Sequence, residues 1–210
     1  MQPHQLISAL AARRLVAIVR GSDAEAALDT VLTLVRSGID LVEVSLSGTD
    51  ALSVIAGARA ALGPDALLGA GTVLTAEDAR QAAEAGATYA VTPAVTEAVA
   101  ASRALGLPVL AGALTPTEVV AALREGATAV KLFPAGSGGV ELLRALRSPF
   151  PHVPFVPVGG VDAVAARAFL AAGALAVGVG SPLVGRAADG DPAGLTDRIA
   201  AFRSLAEGAS

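Results

Sequence analysis

The sequence predicts a (β/α)8 barrel of the TIM type, led by a short N-terminal helix and occupying residues 1–210 as a single domain. Three observations carry that expectation. One unit recurs along the chain: an Ala-rich amphipathic stretch, a glycine and, two or three residues later, a short apolar run. The runs start roughly 20 to 26 residues apart, the length of a strand, two short loops and a three-turn helix. Within each run the apolar residues are continuous rather than alternating, as in strands buried on both faces of a parallel sheet.

Taken in order, the first strand is 15–20 (LVAIVR). Gly38 precedes the second, 41–46 (LVEVSL), Gly63 the third, 67–71 (LLGAG), and Gly86 the fourth, 89–93 (YAVTP). Gly106 precedes the fifth, 109–113 (VLAGA), and Gly126 the sixth, 129–133 (AVKLF). The seventh, 154–158 (PFVPV), follows a Pro-rich turn, and Gly173 precedes the eighth, 176–180 (AVGVG). Glycine is favoured just past a helix end because it takes the left-handed conformation without a Cβ penalty. Helix starts are marked by the N-cap residue types Asp23, Asp50, Thr75, Thr96 and Thr115, and acid or proline follows the threonines in the first turn. A doubly wound open sheet would use the same alternation but normally fewer strands.

Composition narrows the function classes. With 53% hydrophobic residues and 49 alanines, the chain can bury a core of its own. Charged residues, Gly or Pro interrupt every apolar run before the roughly 18 to 20 residues that would span a bilayer. The amino-terminal segment places its arginines after a mixed stretch and lacks the order of a secretory signal, so a cytoplasmic location is expected. A net charge of −4 with five Phe, one Tyr and no Trp weighs against nucleic acid as a partner. The absence of cysteine excludes disulfides, thiolate metal sites and a cysteine nucleophile. No metal centre is expected, because the only histidines are His4 near the terminus and His152 in the Pro-rich turn before the seventh strand, on the opposite face of the barrel, and no cofactor is implied. Of 15 basic residues 14 are arginine; the single lysine is Lys131.

A barrel of this kind carries its chemistry at the carboxyl ends of the strands. The polar or glycine positions there are Arg20 and Gly21, Glu43 with Ser45 and Ser47, Thr72, Thr92 with Pro93, Thr115, Lys131, Gly159 and Gly160, and Gly180 and Ser181. Glu43 and Lys131 lie inside apolar runs, where a charge must be paired, hydrated by a cavity or neutralised. Structurally, Lys131 could snorkel outward or form a buried salt bridge with Glu43. Chemically, a buried amine is a nucleophile that condenses with a ketone to a Schiff base, and a neighbouring carboxyl is the usual proton shuttle. VGGVD (158–162) and GVGSPL (178–183) read as ordinary tight turns or, together after the last two strands, as a backbone phosphate site. Arg20, at the end of the first strand, reads as a surface arginine or as the holder of a substrate carboxylate, with Thr72 as a hydroxyl donor.

These residues resemble the small class I aldolases that cleave 2-keto-3-deoxy-6-phosphogluconate, its galactonate epimer, and 4-hydroxy-2-oxoglutarate. The resemblance runs through VAIVRG (16–21), LVEVSL (41–46), GAGTVL (69–74), AVTPAV (90–95), LTPTEV (114–119), AVKLFPA (129–135), PVGGV (157–161) and GSPL (180–183). It implies that Lys131 is the Schiff-base lysine and Glu43 the general acid/base, with Thr72, Pro93 and Phe133 lining the pyruvate end. It likewise implies that Gly159, Gly160, Gly180 and Ser181 hold the phosphate and that the enzyme is a homotrimer acting on a small keto-deoxy phospho sugar acid. Two departures bear on specificity. Leu46-Ser47-Gly48 replaces the Leu-Arg-Thr of the gluconate type, leaving Arg20 to hold the carboxylate, and Val158 replaces the threonine before the Gly-Gly pair. Both favour the galactonate epimer or broad specificity. The 4-hydroxy-2-oxoglutarate reaction and a non-catalytic sugar-phosphate-binding barrel are the alternatives.

Overall fold

Eight parallel strands alternate with helices in the computed structural model, which describes residues 1–207. The chain opens with α1 (Pro3–Arg13), followed by β1 (Leu15–Val19), α2 (Ala24–Arg36), β2 (Leu41–Ser45), α3 (Ala51–Leu62) and β3 (Leu67–Gly71). It continues through α4 (Ala76–Glu84), β4 (Tyr89–Val91), α5 (Glu97–Ala104), β5 (Val109–Ala113), α6 (Pro116–Arg124) and β6 (Ala129–Leu132). The last units are α7 (Gly139–Arg147), β7 (Phe155–Pro157), α8 (Ala163–Ala171), β8 (Val177–Val179), the four-residue α9 (Ser181–Val184) and α10 (Leu195–Glu207).

The order of hydrogen-bonded neighbours is β7-β6-β5-β4-β3-β2-β1-β8. A parallel bridge between Val158 and Gly178, and the bond from the Leu175 N–H to the Phe155 carbonyl (2.9 Å), bring the two ends together into a (β/α)8 barrel. All eight strands fall inside the intervals expected from sequence. Several stop one or two residues early at their carboxyl ends, where the backbone turns away from the sheet; the Thr92 hydroxyl, for instance, donates back to the Ala94 carbonyl (2.7 Å).

The six glycines read as helix terminators all have positive φ, between 78° and 97°. Four of the five expected caps form. Asp23 accepts from the Ala26 N–H, Thr96 from Ala98, and Thr75 and Thr115 make reciprocal capping boxes with Asp78 and Glu118. Asp50 differs. It sits at φ +46°, in the left-handed region, and its side chain makes no cap bond; the four working caps are extended, the geometry that turns an N-cap oxygen toward the first-turn N–H groups. The one-helix-per-strand pattern also missed α9, an extra turn between β8 and α10.

Apolar residues form two clusters. The larger lies between strands and helices; the smaller fills the barrel interior and includes Val16, Leu41, Tyr89, Leu110 and Val156. Leu6 and Leu10 of α1, both fully buried, join the interior cluster and close the amino end of the barrel. Among the described residues no helix is long and apolar enough to cross a membrane.

Interior packing depends on one close approach. A Cβ at Gly69 would overlap the Tyr89 ring, so β3 must be bare where β4 projects its largest side chain. Gly69→Ala should therefore lower stability by about 1–3 kcal/mol, the usual cost of overpacking a core. Urea denaturation checks this, and the loss should shrink in a Tyr89→Leu background, where the obstructing ring is gone.

Candidate active site

The carboxyl ends of the strands surround an open cavity of about 740 Å³. Glu43 and Lys131 both line it, and both are almost wholly buried, at 2% and 5% exposure. Glu43 projects from β2 in register with Ile18 of β1 and Gly69 of β3. Its carboxylate leans across Gly71, where any Cβ would overlap it, so the bare positions of β3 make room for the acid as well as for Tyr89. Lys131 projects from β6 opposite Gly112 of β5. A Cβ on Gly112 would collide with the Pro93 carbonyl, so that glycine lets the Pro93 segment cross into the cavity wall. The Lys131 amine lies 4.9 Å from the centre of the Phe133 ring, within range of a cation–π contact.

The buried salt bridge considered from sequence is not formed: among the described residues no ion pair or hydrogen bond joins Lys131 to Glu43. The charges nevertheless feel each other. Burial raises the Glu43 carboxyl above its ordinary value and the field of Lys131 opposes that shift, with burial the larger effect. The site thus holds an amine facing open volume beside a carboxyl with increased affinity for a proton, a pair suited to carbonyl addition and proton transfer.

Hydroxyl groups form one wall. Ser45 Oγ shares hydrogen bonds with Ser47 Oγ and Thr72 Oγ1, each 2.8 Å long. Thr72 sits at φ +59°, a left-handed conformation that costs a β-branched residue on the order of 1–3 kcal/mol. The Ser45 bond and the bond from the Val73 N–H to the Val91 carbonyl (3.2 Å) hold it there, with its hydroxyl on the cavity.

Gly159, Gly160, Gly180 and Ser181 line the same cavity on the side of the last two strands. The Gly159 carbonyl accepts from the Gly136 N–H (2.9 Å), and a Cβ at Gly160 would stand 3.3 Å from the Gly136 Cα. Val158 packs on Gly178, whose added Cβ would be 2.6 Å from a Val158 methyl. Arg20 is exposed at the rim. All the site residues singled out from sequence (Arg20, Glu43, Thr72, Pro93, Lys131, Phe133, Val158, Gly159, Gly160, Gly180 and Ser181) therefore meet around one cavity. Thr92 and Thr115 do not: the first bonds to a carbonyl of its own loop and the second caps α6.

Sequence reasoning missed Ser22 and Asp189. The Ser22 N–H and hydroxyl both donate to Asp189 Oδ1 at 2.9 Å, and these bonds hold the carboxyl below its ordinary value, with Arg186 and Arg20 adding smaller effects. Ser22 follows Arg20-Gly21 and could have been included with them. Nothing in the sequence pairs it with a residue 167 positions away.

A family model described as "KDPG and KHG aldolase" matches residues 6–196. The chain is 36% identical over 188 residues to the KHG/KDPG aldolase of Escherichia coli K12, covering 88% of this chain and 87% of that one. It is 34% identical over 171 residues to the 2-dehydro-3-deoxy-6-phosphogalactonate aldolase of the same organism, covering 80% and 83%. The solved structure of KDPG aldolase from Legionella pneumophila, with pyruvate captured as a covalent carbinolamine, superposes with a TM-score of 0.83 at 28% identity, covering 100% of this chain and 98% of that one.

The raised proton affinity of Glu43 has a consequence for stability. Below pH 4.5, the ordinary glutamate value, the carboxyl is protonated in folded and unfolded chains alike. Above it the unfolded chain ionises first, so stability contributed by the buried neutral acid is lost as pH rises through the folded-state value. Glu43→Gln removes this loss. Its melting temperature relative to wild type should rise as pH is increased from 4.5 toward neutrality, as measured by scanning calorimetry across that range.

Proposed function

The chain belongs to the KDPG and KHG aldolase family, and from that premise we propose that Lys131 and Glu43 carry out a class I aldol cleavage of a 2-keto-3-deoxy-6-phospho sugar acid. One observation carries the assignment of roles: the only lysine of the chain is buried in a strand, with its amine on a cavity that a buried acid also lines. The covalent pyruvate adduct of the Legionella relative supports an amine nucleophile.

Lys131 Nζ adds to the C2 carbonyl, and loss of water gives the iminium. Glu43 takes the proton of the C4 hydroxyl as the C3–C4 bond breaks. The bonding pair moves into the iminium to form the pyruvate enamine, and glyceraldehyde 3-phosphate leaves as the aldehyde. Protonation of the enamine at C3 and addition of water to the resulting iminium release pyruvate and free Lys131. Arg20 and Thr72 receive the substrate carboxylate, Pro93 and Phe133 pack the three-carbon end, and the Gly159-Gly160 and Gly180-Ser181 turns receive the phosphate. Ser47 and Val158, standing where the gluconate type has arginine and threonine, support the galactonate epimer or broad specificity. On the family resemblance we assign a homotrimer working in the cytoplasm; light scattering should return three times the chain mass.

Borohydride reduction with pyruvate should add one three-carbon unit, at Lys131, by intact and peptide mass spectrometry. Lys131→Arg should lose adduct and turnover together, because arginine keeps the charge but forms no imine. Glu43→Gln should slow turnover by about 10²-fold or more. No adduct, or one confined to the terminal amine, would refute the mechanism.

Remote phosphate binding should position the reacting carbons as well as retain the substrate. Gly160→Val, which fills a position at φ +73° close to Gly136, should lose most activity on phosphorylated substrate yet keep the pyruvate adduct. Steady-state rates on both epimers and on 4-hydroxy-2-oxoglutarate complete the test. Equal kcat/KM with and without phosphate would move the assignment to the 4-hydroxy-2-oxoglutarate reaction, and a strong gluconate preference would remove the specificity role from Val158 and Arg20.

A further inference from the structure

Tyr89 is the bulkiest of the fully buried side chains described, and its hydroxyl has no hydrogen-bond partner. A buried phenol normally finds one, and a hydroxyl removed from water without a partner is destabilising. Among the described residues, it is the one unpartnered buried side-chain atom that belongs to a strand.

Its surroundings indicate what the hydroxyl is for. Glu43, Gly69 and Tyr89 form one register row across β2, β3 and β4. The middle residue has no side chain, and the Tyr89 ring lies over it: a Cβ on Gly69 would overlap Cε2 and Cζ. The hydroxyl-bearing end of the ring therefore crosses β3 toward β2, the strand that carries Glu43. The Glu43 carboxylate in turn leans over Gly71, the next inward position of β3. Two glycines on one strand thus gather a phenol and a carboxyl from the strands on either side.

We propose that Tyr89 is a positioning residue for Glu43, its hydroxyl donating a hydrogen bond to the carboxylate when that group is ionised to accept the substrate's proton. This rests on the role assigned to Glu43 above. A neutral carboxyl in the apolar interior can do without a donor, but an ionised one cannot. Glu43 borders the cavity on one side, while on the side of the wholly buried Tyr89 only protein can supply a donor. Burial first and the charge of Glu43 second push ionisation of the phenol well above its ordinary value, so the O–H is retained wherever Glu43 titrates. The other charged groups on this cavity are Lys131 of β6 and, at the rim, Arg20 beyond β1 and Asp189. Ile18 of β1 and the β3 glycines, which flank Glu43, carry none.

Tyr89→Phe keeps the ring and removes only the donor, leaving those charged groups in place. Without the donor the ionised carboxylate is less stable, so Glu43 should hold its proton to higher pH. The acid limb of kcat should move up by about one pH unit, and plateau kcat should fall roughly tenfold because the carboxylate is no longer held in line with the C4 hydroxyl. KM should stay within about twofold, and the borohydride-trapped pyruvate adduct at Lys131 should form in wild-type yield. An acid limb left in place with kcat within about twofold of wild type would overturn the proposal, whatever the melting temperature does. Loss of the adduct in the variant would also overturn it, by showing that Tyr89 shapes the amine end instead. A missing adduct in the wild-type chain would strike the imine mechanism itself, so the two failures are distinguishable.

Discussion

Two ionisable groups held inside an apolar barrel set the terms for everything around them. Taking a carboxyl and an amine out of water is unfavourable, and their attraction across the cavity only partly offsets that cost because they do not touch. The barrel accommodates them by concentrating irregularity at one end. Below the Glu43 and Lys131 level the interior is apolar and packed; above it the strands end, the backbone turns outward and the cavity opens. Each ionisable group has the cavity on one side and tight packing on the other, so its stem is fixed while its head borders open volume.

Glycine is the means by which this is arranged. Gly69 and Gly71 leave β3 bare where Tyr89 and Glu43 need room, and Gly112 lets the Pro93 segment close over β5. The helix-ending glycines take the positive φ that ends a helix, a local task, which is why they were readable as punctuation. The same residue type thus serves turns at one end of each unit and clearance within the strands.

That division explains what could be read from sequence. The strands, the glycine-terminated helices and four of the five N-caps depend on interactions within a few residues, and a run such as LVEVSL announces its anomalous acid by composition alone. Gathering the strand-end residues in one place followed from barrel topology, so Lys131, Glu43 and the glycine turns could be named together. Contacts that depend on three-dimensional closure could not. The Ser22–Asp189 pair joins opposite ends of the chain, α9 arises from the backbone route after β8, and Asp50 takes a left-handed conformation that its residue type does not announce. Tyr89 was legible as a strand residue, but its relation to Glu43 needs the register of three neighbouring strands.

The seal at the amino end of the barrel also bears on traffic. With Leu6 and Leu10 of α1 filling that end, the cavity is a blind pocket whose buried floor carries Lys131 and whose exposed rim carries Arg20 and Ser181. Whatever Lys131 holds lies beneath whatever fills the upper part. With Lys131 in the role proposed above, the cleaved aldehyde lies on the rim side of the fragment that the lysine holds. On the role proposed for Lys131, this depth order releases the aldehyde first and the three-carbon fragment last, and in the direction of synthesis it loads the three-carbon fragment before its acceptor.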